Sequence, residues 1–176
     1  MRSPKRQALI TDAAEVLAPA ITALEAAGVD VQVLPAGIDR AAALAAASQT
    51  PVVIVGFMPF DAAAISELRE TQLIVRAGIG YDTVDIEAAT KAGIAVANVP
   101  DFCVAEVADH TLLLLLAAYR RLPDAMTHWR KQRSWHVNAQ LPEMRRVEGT
   151  RLGIVGMGRI GRNVASRALS CGWEVV

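Results

Sequence analysis

Gly156, Gly158 and Gly161 stand in the run Leu152-Gly153-Ile154-Val155-Gly156-Met157-Gly158-Arg159-Ile160-Gly161 with the spacing GxGxxG. The chemistry that asks for this spacing is the binding of a dinucleotide pyrophosphate. The first glycine permits a tight turn, and the second lets the phosphates approach the backbone. The third lets helix and strand pack closely, so that the amides of a helix N-terminus face the anion. A purely structural glycine turn uses the same letters. Here the motif follows an apolar β-like run and precedes a helix-like segment, Ile160 to Ser170, which is the context dinucleotide binding needs. In an NAD site an acidic residue about 20 residues further on reaches the ribose hydroxyls. That count runs from Gly156 to Val176 or just past it. Glu174 falls inside the predicted strand Trp173–Val176 and reads as a solvent-facing residue, so the choice between NAD and NADP stays open.

A second constellation is Val75-Arg76-Ala77-Gly78-Ile79-Gly80-Tyr81-Asp82. A predicted strand ends in a glycine-rich loop, at the carboxyl edge where open α/β sheets place their ligands. Gly78 and Gly80 would leave successive backbone N–H groups free as an anion nest suited to a carboxylate. The same residues also fit a tight βα turn that needs positive φ. The three histidines, His110, His128 and His136, are not placed beside a carboxylate by any spacing and read as surface or packing residues. No catalytic residue and no metal ligand is assigned.

The elements that would position these loops alternate between β and α. Strands are predicted at Gln7–Ile10, Val31–Leu34, Val52–Val55, Leu73–Val75 and Ile94–Ala97. Thr11 and Asp12 read as turn or cap residues ahead of a helix with Pro19 in its first turn. Further helices cover Asp39–Ser48, a segment capped by Asp61 and running through Leu68, and one capped by Asp85 that ends at Gly93. Five strands separated by four helices predict parallel pairing in a flavodoxin-like, doubly wound α/β sheet. After Pro100 the rhythm changes. Val104–Leu122 reads as one long helix broken by Pro123, and a second helix carries Trp129. Ser134–Thr150 reads as a loop, and Arg151–Val155 as a new strand. The expected organisation is residues 1–99 as one domain, then 100–176 as the opening of a Rossmann dinucleotide-binding domain.

Composition narrows the class. Eighteen Lys and Arg balance 18 Asp and Glu, which argues against nucleic-acid binding, since that would show a basic face. Cys103 and Cys171 are too few for a disulfide scaffold, so a cytoplasmic location is expected. The apolar run Leu112–Ala118 is far shorter than the roughly 18 residues of a membrane span, and the N-terminus lacks a signal-peptide core.

Val75 to Asp85, Ala92 to Pro100, Val104-Ala105-Glu106 and Leu152 to Gly161 together resemble the D-2-hydroxyacid dehydrogenase family, in that family's order and spacing. The likeness extends over essentially the whole chain. It is nearest to the branch of phosphoglycerate dehydrogenases and the C-terminal-binding protein, a corepressor. The resemblance implies a substrate domain over 1–99 and NAD as cofactor, with NADP left open. It implies that Gly78, Ile79 and Gly80 hold the substrate carboxylate, and that Ile79, Val104, Gly156, Gly158, Arg159, Ile160 and Gly161 contact the cofactor. The implied partners are a small 2-hydroxy or 2-keto acid and a second copy in a homodimer built on the long helix. Some phosphoglycerate-specific members carry an arginine where this chain has Gly56, which makes a phosphorylated substrate less expected. The family's catalytic arginine, glutamate and histidine have no counterpart here. The chain therefore reads as the N-terminal part of an NAD-dependent oxidoreductase, inactive by itself. An NAD(H)-sensing dimerisation module and a non-functional truncated product are the alternatives.

Overall fold

The computed structural model describes residues 6–133 and 144–176. The chain divides into two compact units, Met1–Phe102 and Cys103–Val176. The predicted features of the segment 134–143, His136 included, lie outside the described residues.

The first unit is an open parallel sheet of β1 (Gln7–Ile10), β2 (Asp30–Val33), β3 (Val52–Val55), β4 (Leu73–Arg76) and β5 (Ala95–Asn98). Their order, β2-β1-β3-β4-β5, is the flavodoxin-like one. Every pairing is parallel and in simple register, as in Val52↔Leu73 and Leu73↔Ala95. The apolar runs of β1, β3 and β4 explain the layering, because central strands covered on both faces need apolar side chains throughout. Leu9, Val53, Val55 and Ile74 are wholly buried, and Phe60 and Ile65, from the segment after β3, complete the core.

The connecting helices are α1 (Ala18–Ala26), α2 (Arg40–Ser48), α3 (Ala62–Ser66) and α4 (Ile86–Lys91). The last three begin alike. Asp39 accepts from the amides of Ala41 and Ala42, Asp61 from Ala64 and Asp85 from Ala88, each satisfying first-turn N–H groups that have no partner in the helix. Helix α1 is different. It starts at Ala18 with Pro19 in its first turn and no side-chain cap, so Asp12 is not a helix cap. Helix α3 is shorter than the predicted Asp61–Leu68. Ser48 ends it: its hydroxyl donates to the Glu67 carbonyl at 2.7 Å and accepts from the Arg69 amide at 3.1 Å.

The second unit begins with α5 (Val104–Tyr119) and α6 (Leu122–Gln132). The predicted helix to Leu122 ends earlier because Arg121 takes a left-handed conformation, φ 52°. Pro123 therefore opens α6, where its missing N–H costs nothing, rather than breaking α5. A parallel βαβ unit follows: β6 (Arg151–Leu152), α7 (Arg159–Ser170) and β7 (Glu174–Val175), registered Arg151↔Glu174. The predicted strand Arg151–Val155 is thus cut to two residues. Only one further ladder bond, Ile154 N–H to the Val176 carbonyl, follows before Gly156 turns the chain away. Trp173 is not a strand residue either. Its amide bonds the Ala168 carbonyl at the end of α7, and its buried ring meets Tyr119 edge-on at 5.7 Å. Helix α7 lies against α5, tied by Arg167 Nε to Asp109 Oδ1 at 2.5 Å. No helix among the described residues is long and apolar enough to cross a membrane.

Candidate functional site

In the second unit the glycines of the GxGxxG run differ in what the backbone asks of them. Gly156 sits at φ +94°, which side-chain-bearing residues rarely adopt. A Cβ on Gly158 would project into open space. A Cβ on Gly161 would lie 2.1 Å from the Gly156 carbonyl oxygen, so only glycine lets α7 come this near the turn. Gly158 is the N-cap of α7 and supplies no side-chain cap. The turn therefore lies at the positive end of a twelve-residue helix. Gly156, Ile160 and Gly161 also line a cavity of about 450 Å³ with Thr111 and Leu115 of α5. The turn thus has the shape of a phosphate cradle, and the residues present fit a dinucleotide pyrophosphate. Glu174 is exposed and faces Arg151 across the strand pair at 3.6 Å, in keeping with a solvent-facing residue. Val104 is the first residue of α5, directly after Cys103, whose φ of 47° sets the helix entrance.

In the first unit the Gly78–Gly80 loop leaves the carboxyl end of β4, but the predicted nest needs correction. The Gly78 amide donates to the Arg76 carbonyl at 2.8 Å and is not free. Neither Gly78 nor Gly80 has positive φ, so the backbone is neither an alternating nest nor a turn that demands left-handed residues. The loop is held from β5 instead. Asn98 Nδ2 donates to the Ile79 carbonyl at 2.7 Å, and the Val99 amide to the Gly78 carbonyl at 3.0 Å. The amides of Ile79 and Gly80 have no acceptor among the described residues.

Sequence reasoning assigned no role to Arg76. Its side chain folds back over the loop, so that a Cβ on Gly78 would fall 1.5 Å from an Arg76 guanidinium nitrogen. The guanidinium thus occupies the space that a side chain at Gly78 would take. Arg76 Cζ lies 5.6 Å from the centre of the Phe57 ring, and Nε is buried with no hydrogen-bond partner. A cation at the end of an otherwise apolar strand, Leu-Ile-Val-Arg, was the available signal. Arg76 and the two amides bring to one loop the kinds of donor that a carboxylate accepts.

The third-strand exit is equally built. Gly56 has no room for a side chain, since a Cβ there would lie 2.8 Å from both Ala13 Cβ and Asp12 Oδ2. Asp12 accepts the amides of Gly56 (2.8 Å), Phe57 and Met58 (3.2 Å), as well as the Thr11 hydroxyl (2.6 Å). Burial pushes the Asp12 carboxyl up, but these bonds outweigh it and hold the group below its ordinary 3.8.

Among the described residues neither His110 nor His128 bonds a carboxylate, and no cluster of three or more His, Cys, Asp or Glu could hold a metal ion. Cys103 and Cys171 are free thiols.

Residues 8–169 match the family model for the D-isomer specific 2-hydroxyacid dehydrogenase catalytic domain. The chain is 35% identical over 164 residues to D-3-phosphoglycerate dehydrogenase of Mycobacterium tuberculosis (strain ATCC 25618 / H37Rv), covering 93% of this chain and 30% of the relative. It is 37% identical over 121 residues to glyoxylate reductase of Korarchaeum cryptofilum, covering 67% of this chain and 36% of that protein. Among solved structures, a D-isomer specific 2-hydroxyacid dehydrogenase from Polaromonas sp. JS6 66, described as putative and NAD-binding, superposes with a TM-score of 0.80 at 30% identity. That likeness covers 98% of this chain and 54% of the other. The chain thus spans about a third of the length of the curated relatives it matches. The parallel sheet, the glycine turn before α7 and a family match running through both units agree: the chain belongs to the D-2-hydroxyacid dehydrogenases.

Proposed function

We propose that this chain supplies the substrate-carboxylate and dinucleotide-phosphate sites of an NAD-dependent oxidoreductase acting on the CH–OH group of a small D-2-hydroxy acid, or in reverse on the 2-keto acid. The observation that carries the reading is the Gly156–Gly161 turn before α7, where Gly156 takes a positive φ and Gly161 has no room for a Cβ. Residues 1–99 serve as substrate domain and 100–176 as the opening of the nucleotide domain. Gly156, Gly158, Arg159, Ile160 and Gly161 would hold the pyrophosphate, with Ile79 and Val104 as further cofactor contacts. NAD is the favoured dinucleotide, as for the NAD-binding relative from Polaromonas, and NADP stays open.

When bound, the nicotinamide supplies or accepts the hydride. This chain's own residues bind and orient. The amides of Ile79 and Gly80 and the Arg76 guanidinium would hold the substrate carboxylate, fixing which face of its C2 carbon is presented. Asn98 keeps Ile79 in place through its carbonyl. Gly56 leaves no space for an added cation after β3, which supports an unphosphorylated acid. Proton transfer needs a base within reach of the substrate oxygen, and no histidine–carboxylate pair stands among the described residues. We therefore propose binding without turnover for the chain alone, in the cytoplasm and as a homodimer.

The test is NADH fluorescence enhancement on titration with the chain. Enhancement in the wild type and its loss in Gly158→Glu support the reading; identical curves for the two make the turn merely structural. Measurable reduction of glyoxylate by residues 1–176 would overturn the absence of turnover.

A further inference from the structure

Asp12 sits at the carboxyl end of β1, two strands away from the Gly78 loop, and the proposed reaction gives it no task. Its surroundings are nevertheless more specialised than a turn requires. One carboxylate gathers three consecutive amides, Gly56, Phe57 and Met58, from a segment about 45 residues further along the chain. Thr11, itself buried, adds its hydroxyl to Oδ1 and anchors to the Ile54 carbonyl. The next residue, Ala13, is held at φ 59°. Side chains other than glycine pay for that conformation, and such residues persist only where the surroundings enforce them. Gly56 is the matching concession on the other side, because any Cβ there would strike both Asp12 and Ala13.

What this clamp holds is the backbone of Phe57. The Phe57 side chain is 73% exposed, so core packing does not account for its position. Its ring lies instead beside the Arg76 guanidinium, 5.6 Å from centre to Cζ. A flexible arginine at a strand end has many rotamers, and an aromatic face restricts them. The contacts therefore run in one line across three adjacent strand ends, in the sheet's own order β1, β3, β4: Asp12, the Gly56–Met58 backbone, the Phe57 ring, the Arg76 guanidinium over Gly78.

We propose that Asp12 is a positioning residue for the anion site, acting through the Phe57 loop to keep the Arg76 guanidinium above Gly78. The role rests on the reading of Gly78–Gly80 and Arg76 as a carboxylate site. Because the clamp is made by an ionised carboxylate accepting N–H bonds, the amide of an Asn, which turns a donor toward those amides, does not replace it.

The experiment is site-resolved modification of arginines by phenylglyoxal, read by peptide mass spectrometry, with and without oxalate as the probe anion. Arg167 and Arg151, both in the other unit and ion-paired there, serve as internal standards. In the wild type Arg76 reacts slowly and oxalate slows it further. In Asp12→Asn, Arg76 reacts about two- to fivefold faster, as expected for loss of an exposed cation–π contact, while Arg167 and Arg151 keep their rates. If Asp12→Asn does not fold, all arginines accelerate together. Phe57→Leu, at an exposed position that threatens no core, then decides the matter by the same acceleration at Arg76 alone. An Arg76 rate equal to wild type in the folded variant overturns the positioning role whatever oxalate does. Absence of oxalate protection in the wild type overturns the carboxylate-site reading, and this role with it.

Discussion

Gly161 and Gly158 look interchangeable in the sequence, and the structure makes them opposites. Gly161→Ala forces a methyl to within 2.1 Å of the Gly156 carbonyl, so it should lower the melting temperature of the chain and abolish NADH binding together. Gly158→Ala places its methyl in open space and should leave the melting temperature unchanged within about 0.5 kcal/mol of stability, the usual range for surface changes. Differential scanning fluorimetry and NADH titration separate the two. Asp12 gives a pH prediction at the same scale. Its folded pKa lies below the unfolded value of about 3.9. Its contribution is thus fully present above that value and is lost as the pH falls through the folded one. Asp12→Asn should cost about 1–2 kcal/mol at neutral pH, measured by urea unfolding, and the gap to wild type should close below about pH 4. A constant gap down to pH 2 would contradict the assignment. The glycine motif was legible because its logic is local. Asp12, Phe57 and Arg76 were not, because they meet only when β1, β3 and β4 pair, and an Asp after a strand reads equally well as a helix cap. The supposed nest at Gly78 failed for a related reason: a glycine can yield space to a neighbouring side chain without adopting positive φ.

Elements were most legible where apolar side chains alone decide them. Strands β1 and β3 fall at their predicted residues, and β2 and β5 each begin and end one residue from expectation. Boundaries set by distant partners were not legible. Ser48 ends α3 from across the unit, and the left-handed Arg121 separates two helices where the letters read as one. Two stability predictions belong here. Phe60 is fully buried and bridges to Val84, so Phe60→Ala should destabilise by about 3–5 kcal/mol through the cavity it leaves. Asp85→Ala removes the bond to the Ala88 amide at 2.9 Å and should cost about 1 kcal/mol, the usual loss for an N-cap. Chemical denaturation measures both, and an order reversed from this would contradict the packing account of the first unit.

Over the whole molecule, two α/β units each bring a loop to the carboxyl edge of a parallel sheet. One is the Gly78–Gly80 loop after β4, proposed above for a carboxylate. The other is the Gly156–Gly161 turn before α7, proposed above for a pyrophosphate. The family match runs through both, which accounts for their appearance in one chain. The most direct measurement is calorimetric titration of NADH into the wild-type chain and into Gly158→Glu. The account predicts saturable one-site binding by the wild type, and its loss in a variant that melts at the same temperature. Equal binding by the two, or no binding by a folded wild type, would contradict the assignment of the glycine turn to the dinucleotide.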